Sequence, residues 1–315
     1  MRFSKRTVWL ALLTLAVIVA AMINAPGLTA LYYQWRFTPV VAALPSAPAF
    51  TAQDRVLVIS PHPDDESLCC AGMIQQIHAA GAQVFIIWLT SGDGFELDAL
   101  LHDPVARVPA ASQRLATTRM GEAKAAATVL NIPSERLFFL GYPDGGLGHM
   151  LLDYYDTPYT SRYTGLNEVS YGGTLSLGKA YTGQNLVADV TAVIEQVKPN
   201  VVLAPPPRDR HPDHSATGDL TLRLFSERGE LDKLSWWLVH GGLEYPLPKG
   251  FHPTLPLYPA PRGAGLNWQR VDLSEEQVET KWQAVRSYKT QLEILERFME
   301  AFVRRNELLS TTALP

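Results

Sequence analysis

Val56-Leu57-Val58-Ile59-Ser60-Pro61-His62-Pro63-Asp64-Asp65-Glu66-Ser67 decides how this chain is read. Its first half is a short apolar, β-branched run, the pattern of a strand buried on both faces. The run stops at Pro61 and delivers one imidazole and two adjacent carboxylates to a single turn before a helical pattern begins. Strand, turn and helix together open a βαβ unit, and the apolar run at 83–90 supplies its second strand.

Working outward, the pattern predicts a helix over 66–80 that ends at Gly81, a helix over 112–130, a short strand at 137–140, a helix over 184–198 and a strand at 201–204. A further helix is expected to about 227 and a strand at 236–240. Ser274-Glu275-Glu276-Gln277 is a capping box that starts one long final helix reaching about 309. Two stretches lack periodicity: 148–183, with six tyrosines, and the proline- and glycine-rich 241–267, expected to be a covering loop. Strands alternating with helices imply an α/β fold, Rossmann-like, with three α/β/α layers and a mostly parallel sheet.

Imidazole nitrogen and carboxylate oxygen are ligands that suit a divalent ion such as zinc, and a third protein ligand would leave a position open for water. A second cluster offers it: after 201–204 comes Pro205-Pro206-Pro207-Arg208-Asp209-Arg210-His211-Pro212-Asp213-His214. If the two strands are parallel neighbours, both clusters meet at the carboxyl edge of the sheet, where open α/β folds place their sites. Taken alone, the first cluster has the alternative reading of a turn in which Asp64 or Asp65 caps the helix. Two such clusters, each past a strand, are better explained by a site.

Of the 315 residues, 47% are hydrophobic and 18% charged, a composition that excludes a disordered chain. The formal net charge is −4, and the bases before Thr51 are Arg2, Lys5, Arg6 and Arg36 with no acid among them, so the body beyond is more acidic than the whole. That balance excludes nucleic acid as the partner. Cys69 and Cys70, the two cysteines, are expected to pack as small apolar groups, since a bond between neighbours is strained. At the start, three positive charges precede an uncharged apolar run at 7–23, about the minimum length for a membrane span. We expect a transmembrane signal anchor at 1–24, a proline-rich tether at 25–52 and a catalytic domain at 53–310 on the periplasmic or extracytoplasmic side, with cleavage and secretion as the alternative.

Pro61-His62-Pro63-Asp64-Asp65-Glu66 together with His211-Pro212-Asp213-His214 resembles the PIG-L/LmbE family of zinc-dependent N-deacetylases, which remove acetyl groups from N-acetylglucosamine units in glycolipids, thiol cofactor precursors and antibiotics. The likeness runs from about 55 to 221 and includes the weaker signatures Arg119-Met120-Gly121-Glu122-Ala123, Tyr142-Pro143-Asp144-Gly145 and Lys198-Pro199-Asn200-Val201-Val202. Ala71 stands where many members have glycine and Asn200 where many have aspartate. The resemblance implies zinc held by His62, Asp65 and His214, Asp64 as general base, a protonated His211 stabilising the oxyanion and Asp213 orienting His211.

Arg119, Asp144 and Asp93 are the candidates for binding sugar hydroxyls, with a structural ion pair or turn cap as the alternative for the first two. Glu66 is read as a charge at a helix N-terminus, His240 as a packed strand-end histidine and Trp236-Trp237 as core. The whole implies hydrolysis of an acetamido group on an envelope glycan or glycolipid, an amino-sugar conjugate, with zinc. The rival readings are an amidase on another amide, and a glycan- or lipid-binding protein in which the metal only staples loops.

Overall fold

The computed structural model describes residues 5–95, 108–242 and 244–313, with backbone alone at 5–8, 10–13, 16–26 and 108. The apolar runs become β1 (Arg55–Ser60), β2 (Gln83–Thr90), β3 (Leu137–Tyr142), β4 (Val201–Ala204) and β5 (Leu234–Trp236). These five are parallel, in the order β3-β2-β1-β4-β5. The order reverses between β1 and β4, so the loops that leave their carboxyl ends diverge and open a crevice. Both ligand clusters leave from that edge.

Eight helices accompany the sheet among the described residues: α1 (Lys5–Ala42), α2 (Asp65–Ala79), α3 (Val108–Val129), α4 (Leu147–Leu152), α5 (Gly183–Val197), α6 (Pro212–Glu227), α7 (Glu275–Val285) and α8 (Lys289–Glu300). Strand residues divide by parity. Val56, Val58, Ile86 and Trp88 face one core with α2, α3 and α7, while Leu57, Ile59, Ile87 and Leu89 face another with α5 and α6. That alternation is the pleat of a sheet covered on both sides, which is why the strands read as unbroken apolar runs. The three-layer α/β/α expectation therefore holds.

Several expectations do not. No helix is long and apolar enough to cross a membrane among the described residues, so the transmembrane helix is unsupported. The run at 7–23, apart from Trp9, Thr14 and Leu15, lies outside the described side chains. Helix α1 continues to Ala42, through most of the segment expected as an open tether. Its far end is held by packing: Val41 is buried and Phe37 stacks on Tyr258 at 3.9 Å between ring centroids. Such contacts outweigh the local bias of prolines.

The expected strand at 236–240 ends already at Trp236, and the final helix is two, broken at 286–288 and followed by a strand. That strand, β7 (Asn306–Ser310), pairs antiparallel with β5 and with β6 (Trp268–Asp272), completing the order β3-β2-β1-β4-β5-β7-β6. Cys69 and Cys70 are buried as expected but are joined by a disulfide, against expectation. The segment 153–182 is irregular yet fastened, with Tyr171 and Tyr181 buried.

Candidate active site

His62 follows β1, and its position is fixed from both sides: its carbonyl accepts from Ser60 Oγ at 2.8 Å and its N–H donates to Asp65 Oδ2 at 2.9 Å. His214 sits one turn into α6, whose entry is set by Pro212 and by His211 at the N-cap, where Nδ1 accepts from the Asp213 N–H at 3.3 Å. Asp65 opens α2. Three atoms then converge: His62 Nδ1 is 3.3 Å from Asp65 Oδ2, Asp65 Oδ2 is 3.2 Å from His214 Nε2, and His214 Nε2 is 3.3 Å from His62 Nδ1. Ligands about 2.0–2.1 Å from a tetrahedral ion lie about 3.3 Å from one another, so these three atoms form one face of such a site. An imidazole, imidazole and carboxylate set suits zinc.

Its electrostatics match. Burial pulls His214 down, but Asp65 and Asp209 outweigh it and raise the imidazole to about 9. His62 is likewise raised despite burial, by Asp144, Asp213 and Asp65. Burial pushes Asp65 up, yet His214 and His62 hold it well below the usual carboxylate range. The surrounding carboxylates thus favour positive charge on both rings of the ion-free protein, where a cation would stand.

Asp64 is the strained member, at φ 123° and ψ −33°. Its side chain does not cap α2. Arg119 Nη2 binds Asp64 Oδ2 at 3.1 Å and the Pro63 carbonyl at 2.7 Å, while Nη1 binds the Gly92 carbonyl at 2.9 Å. Glu66 Oε2 accepts from the Asp64 N–H at 3.3 Å and from Trp88 Nε1 at 2.8 Å, and Oε1 accepts from Tyr288 Oη. Burial pushes Asp64 up, Arg119 opposes it, Asp65 and Glu66 add to it, and the result is about 8.

The other expected residues divide. Asp213 was expected to orient His211, but its Oδ2 lies 3.1 Å from His62 Nε2 and also accepts from the Gly145 N–H at 2.6 Å. It orients His62. Its Oδ1 accepts from the Leu147 N–H, because the turn after β3 folds against α6. His211 was expected to be protonated; in this ion-free structure burial and the charges on His62 and His214 lower it to about 4, its Nδ1 accepts from the Asp213 N–H, and the residue lines the cleft.

Arg119, expected to bind sugar or to make a structural ion pair, lines the cleft but is buried, with its guanidinium on Asp64 and on the Pro63 and Gly92 carbonyls. Asp93, expected to contact substrate, does not line the cleft. It is wholly buried, accepting from the Asp144 N–H and from Tyr171 Oη at 2.6 Å. Asp144 does reach the cleft, with Oδ1 3.3 Å from His62 Nε2.

Sequence reasoning missed Asp209. It is buried, its Oδ2 stands 3.3 Å from His214 Nδ1 and accepts from the His240 N–H at 3.1 Å, and its Oδ1 accepts from the His211 N–H at 2.9 Å. It faces His214 as a charge contact, with no hydrogen bond to Nδ1. Its signal was present, two residues before His211.

These groups open into a cleft of about 640 Å³ lined by His62, Asp64, Asp144, His149, Arg162, Tyr163, His211 and His240 on its polar sides and by Phe95, Leu295, Phe298 and Met299 on an apolar one. Its volume is in the range of small-molecule sites.

Residues 57–225 match the family model described as GlcNAc-PI de-N-acetylase, PIG-L. The chain is 27% identical over 188 residues, 58% of it and 59% of the relative, to 1D-myo-inositol 2-acetamido-2-deoxy-alpha-D-glucopyranoside deacetylase of Actinosynnema mirum. It is 28% identical over 56% of its length, and 55% of the relative's, to the protein of the same description from Rhodococcus jostii. The match thus spans less than two thirds of either relative. Among solved structures, that of an antimicrobial pseudoaglycone deacetylase superposes with a TM-score of 0.52 at 21% identity, covering 82% of this chain and 96% of that one, which extends the shared fold beyond 225.

Proposed function

Because the chain belongs to the GlcNAc-PI de-N-acetylase (PIG-L) family, we propose that it is a metal-dependent hydrolase that removes the acetyl group from an N-acetylglucosamine-type conjugate, releasing acetate and a free amine. The observation that carries this is the near-equilateral face made by His62 Nδ1, Asp65 Oδ2 and His214 Nε2, with the one strained carboxylate of the turn, Asp64, beside it. A zinc ion held by those three would supply Lewis acidity to the amide carbonyl and acidify water toward about pH 7.

The chain's own residues do the rest. Asp64, fixed by Arg119 and with an affinity for protons near neutrality, takes a proton from the attacking water and returns it to the departing nitrogen. His211 presents Nε2–H to the developing oxyanion, a contribution of about 3 kcal/mol for a donor of this kind. Asp213 and Asp209 hold His62 and His214 in place from behind. The C–N bond breaks as the amine is protonated, so atoms and charges balance with water as the co-reactant.

Acetate release from a panel of N-acetylhexosamine conjugates by zinc-loaded protein tests the reading. Release from amides that are not acetamido sugars would favour a broader amidase, and metal uptake without turnover on any conjugate would overturn the enzymatic reading. The basic start and the apolar run at 7–23 support a location outside the cytoplasm and so an envelope glycan or glycolipid as substrate. Protease added to spheroplasts tests this: a domain that stays protected until the cytoplasmic membrane is lysed rejects it.

A further inference from the structure

The hydrolysis above leaves one imidazole at the metal face without a role. His240 comes after β5, beyond the residues that match the family model, so nothing in the family likeness assigns it. Its ring centroid lies 4.6 Å from that of His214 and 5.1 Å from that of His211. Asp65, His214 and His240 each offer a ligand atom, and the three atoms lie within 4.8 Å of one another. His62, His211 and His214 do the same. The two flanking imidazoles thus keep different company, His211 with His62 and His214, and His240 with Asp65 and His214.

His240 is aimed by its surroundings. Phe298 stacks on the ring, with planes 14° apart and centroids 5.8 Å apart, and the His240 N–H is fastened to the same Asp209 oxygen that stands behind His214. Neither ring nitrogen takes a hydrogen bond among the described residues. His240 is thus a half-buried imidazole held on its flank and backbone, with its nitrogens unused beside two metal-ligand candidates.

We propose that His240 is a fourth, displaceable protein ligand, closing the open side of the ion at rest and leaving it when substrate enters the cleft. This rests on the reading of His62, Asp65 and His214 as the metal triad. Three protein ligands leave an open site and four close it. A ligand with no competing hydrogen bond both tightens the resting site and withdraws without stranding a partner.

Metal titration and cobalt(II) absorption, both read without turnover, test the proposal on the full chain with His240→Ala, the more conservative His240→Gln and His214→Ala. Wild type is expected to bind one ion, His214→Ala to lose it, and both His240 variants to bind it at least 10-fold more weakly, with altered visible cobalt bands. Adding N-acetylglucosamine is expected to shift the wild-type cobalt spectrum toward that of the variants. Unchanged affinity and unchanged bands in His240→Gln, which retains a side chain against Phe298, would overturn the role of His240 while leaving the triad intact. A wild-type chain that takes up no ion would instead overturn the metal reading itself.

Discussion

At Asp64 the backbone and the chemistry make opposite demands. A residue at φ 123° with its carboxylate between Asp65 and Glu66 costs stability, and the surroundings that tolerate it, Arg119 on the carboxylate and Glu66 on the N–H, exist to keep it there. Asparagine keeps the shape but has no carboxylate to exchange a proton, so Asp64→Asn is expected to lower turnover by at least about 100-fold while metal content, read by atomic absorption, stays at the wild-type level. Asp93 carries a different burden. Burial first, and Asp144 second, raise it from 3.8 to about 7. A carboxyl raised on folding contributes stability fully below pH 4, and that contribution is lost as pH rises through about 7. In the ion-free protein, Asp93→Asn is therefore expected to flatten the fall in melting temperature between pH 4 and pH 8; an equally steep fall in the variant would refute the assignment. The sequence pointed to Asp64 through its place in the turn but could not say which way Asp93 faces. A strand-end carboxylate looks the same in one dimension whether it meets solvent or a tyrosine 78 residues away.

Between elements, the tie that matters most to the site runs from the first turn of α2 to the break between α7 and α8. Tyr288 donates to Glu66 Oε1, Trp88 of β2 donates to Oε2, and Oε2 also holds the Asp64 N–H, so three elements meet on one buried carboxylate. Tyr288→Phe strips one donor from that carboxylate, an expected loss of about 1–3 kcal/mol in a denaturant melt. Turnover should fall with it, because the brace on the strained turn loosens; full activity in the variant would show that Glu66 serves packing alone. This tie explains why the final helix of the sequence reading is two. Tyr288 must reach into the core, and the chain breaks there to let it. Strand β7 was hidden for a related reason. Glu307 within it reads as a surface charge, yet it is wholly buried, pairing with Lys281 at 2.7 Å and accepting from the N–H groups of Gly72 and Met73. By contrast β1, β2 and β4 were plain, since a strand covered on both faces needs only apolar residues and no partner at a distance.

Across the whole molecule, packing joins the first helix to the active site. Phe37 stacks on Tyr258 at 3.9 Å, Tyr258 meets Tyr245 at 5.5 Å, Tyr245 meets Phe302 at 6.2 Å, Phe302 meets Phe298 at 5.3 Å, and Phe298 lies on His240 at 5.8 Å. Nothing in the order of residues announces such a column, because its members lie in four separate stretches between 37 and 302. What the sequence did reveal of the site, the imidazoles and carboxylates at two strand ends, depended only on β1 and β4 being parallel neighbours. Each ring in the column rests on other core groups besides its neighbour, so removing the outermost should subtract burial without moving the innermost. Phe37→Ala is half-buried and is expected to destabilise the fold by about 1–3 kcal/mol, less than the full cost of an aromatic deleted from a core. Metal affinity should stay within about 2-fold of wild type, since each 1.4 kcal/mol at the site would appear as a factor of about 10 and no ligand touches α1. A melt that drops while titration holds would mark α1 as a brace on the C-terminal layer. A loss of metal affinity in step with stability would mean instead that the column carries strain to His240, and that the helix helps set the geometry of the site.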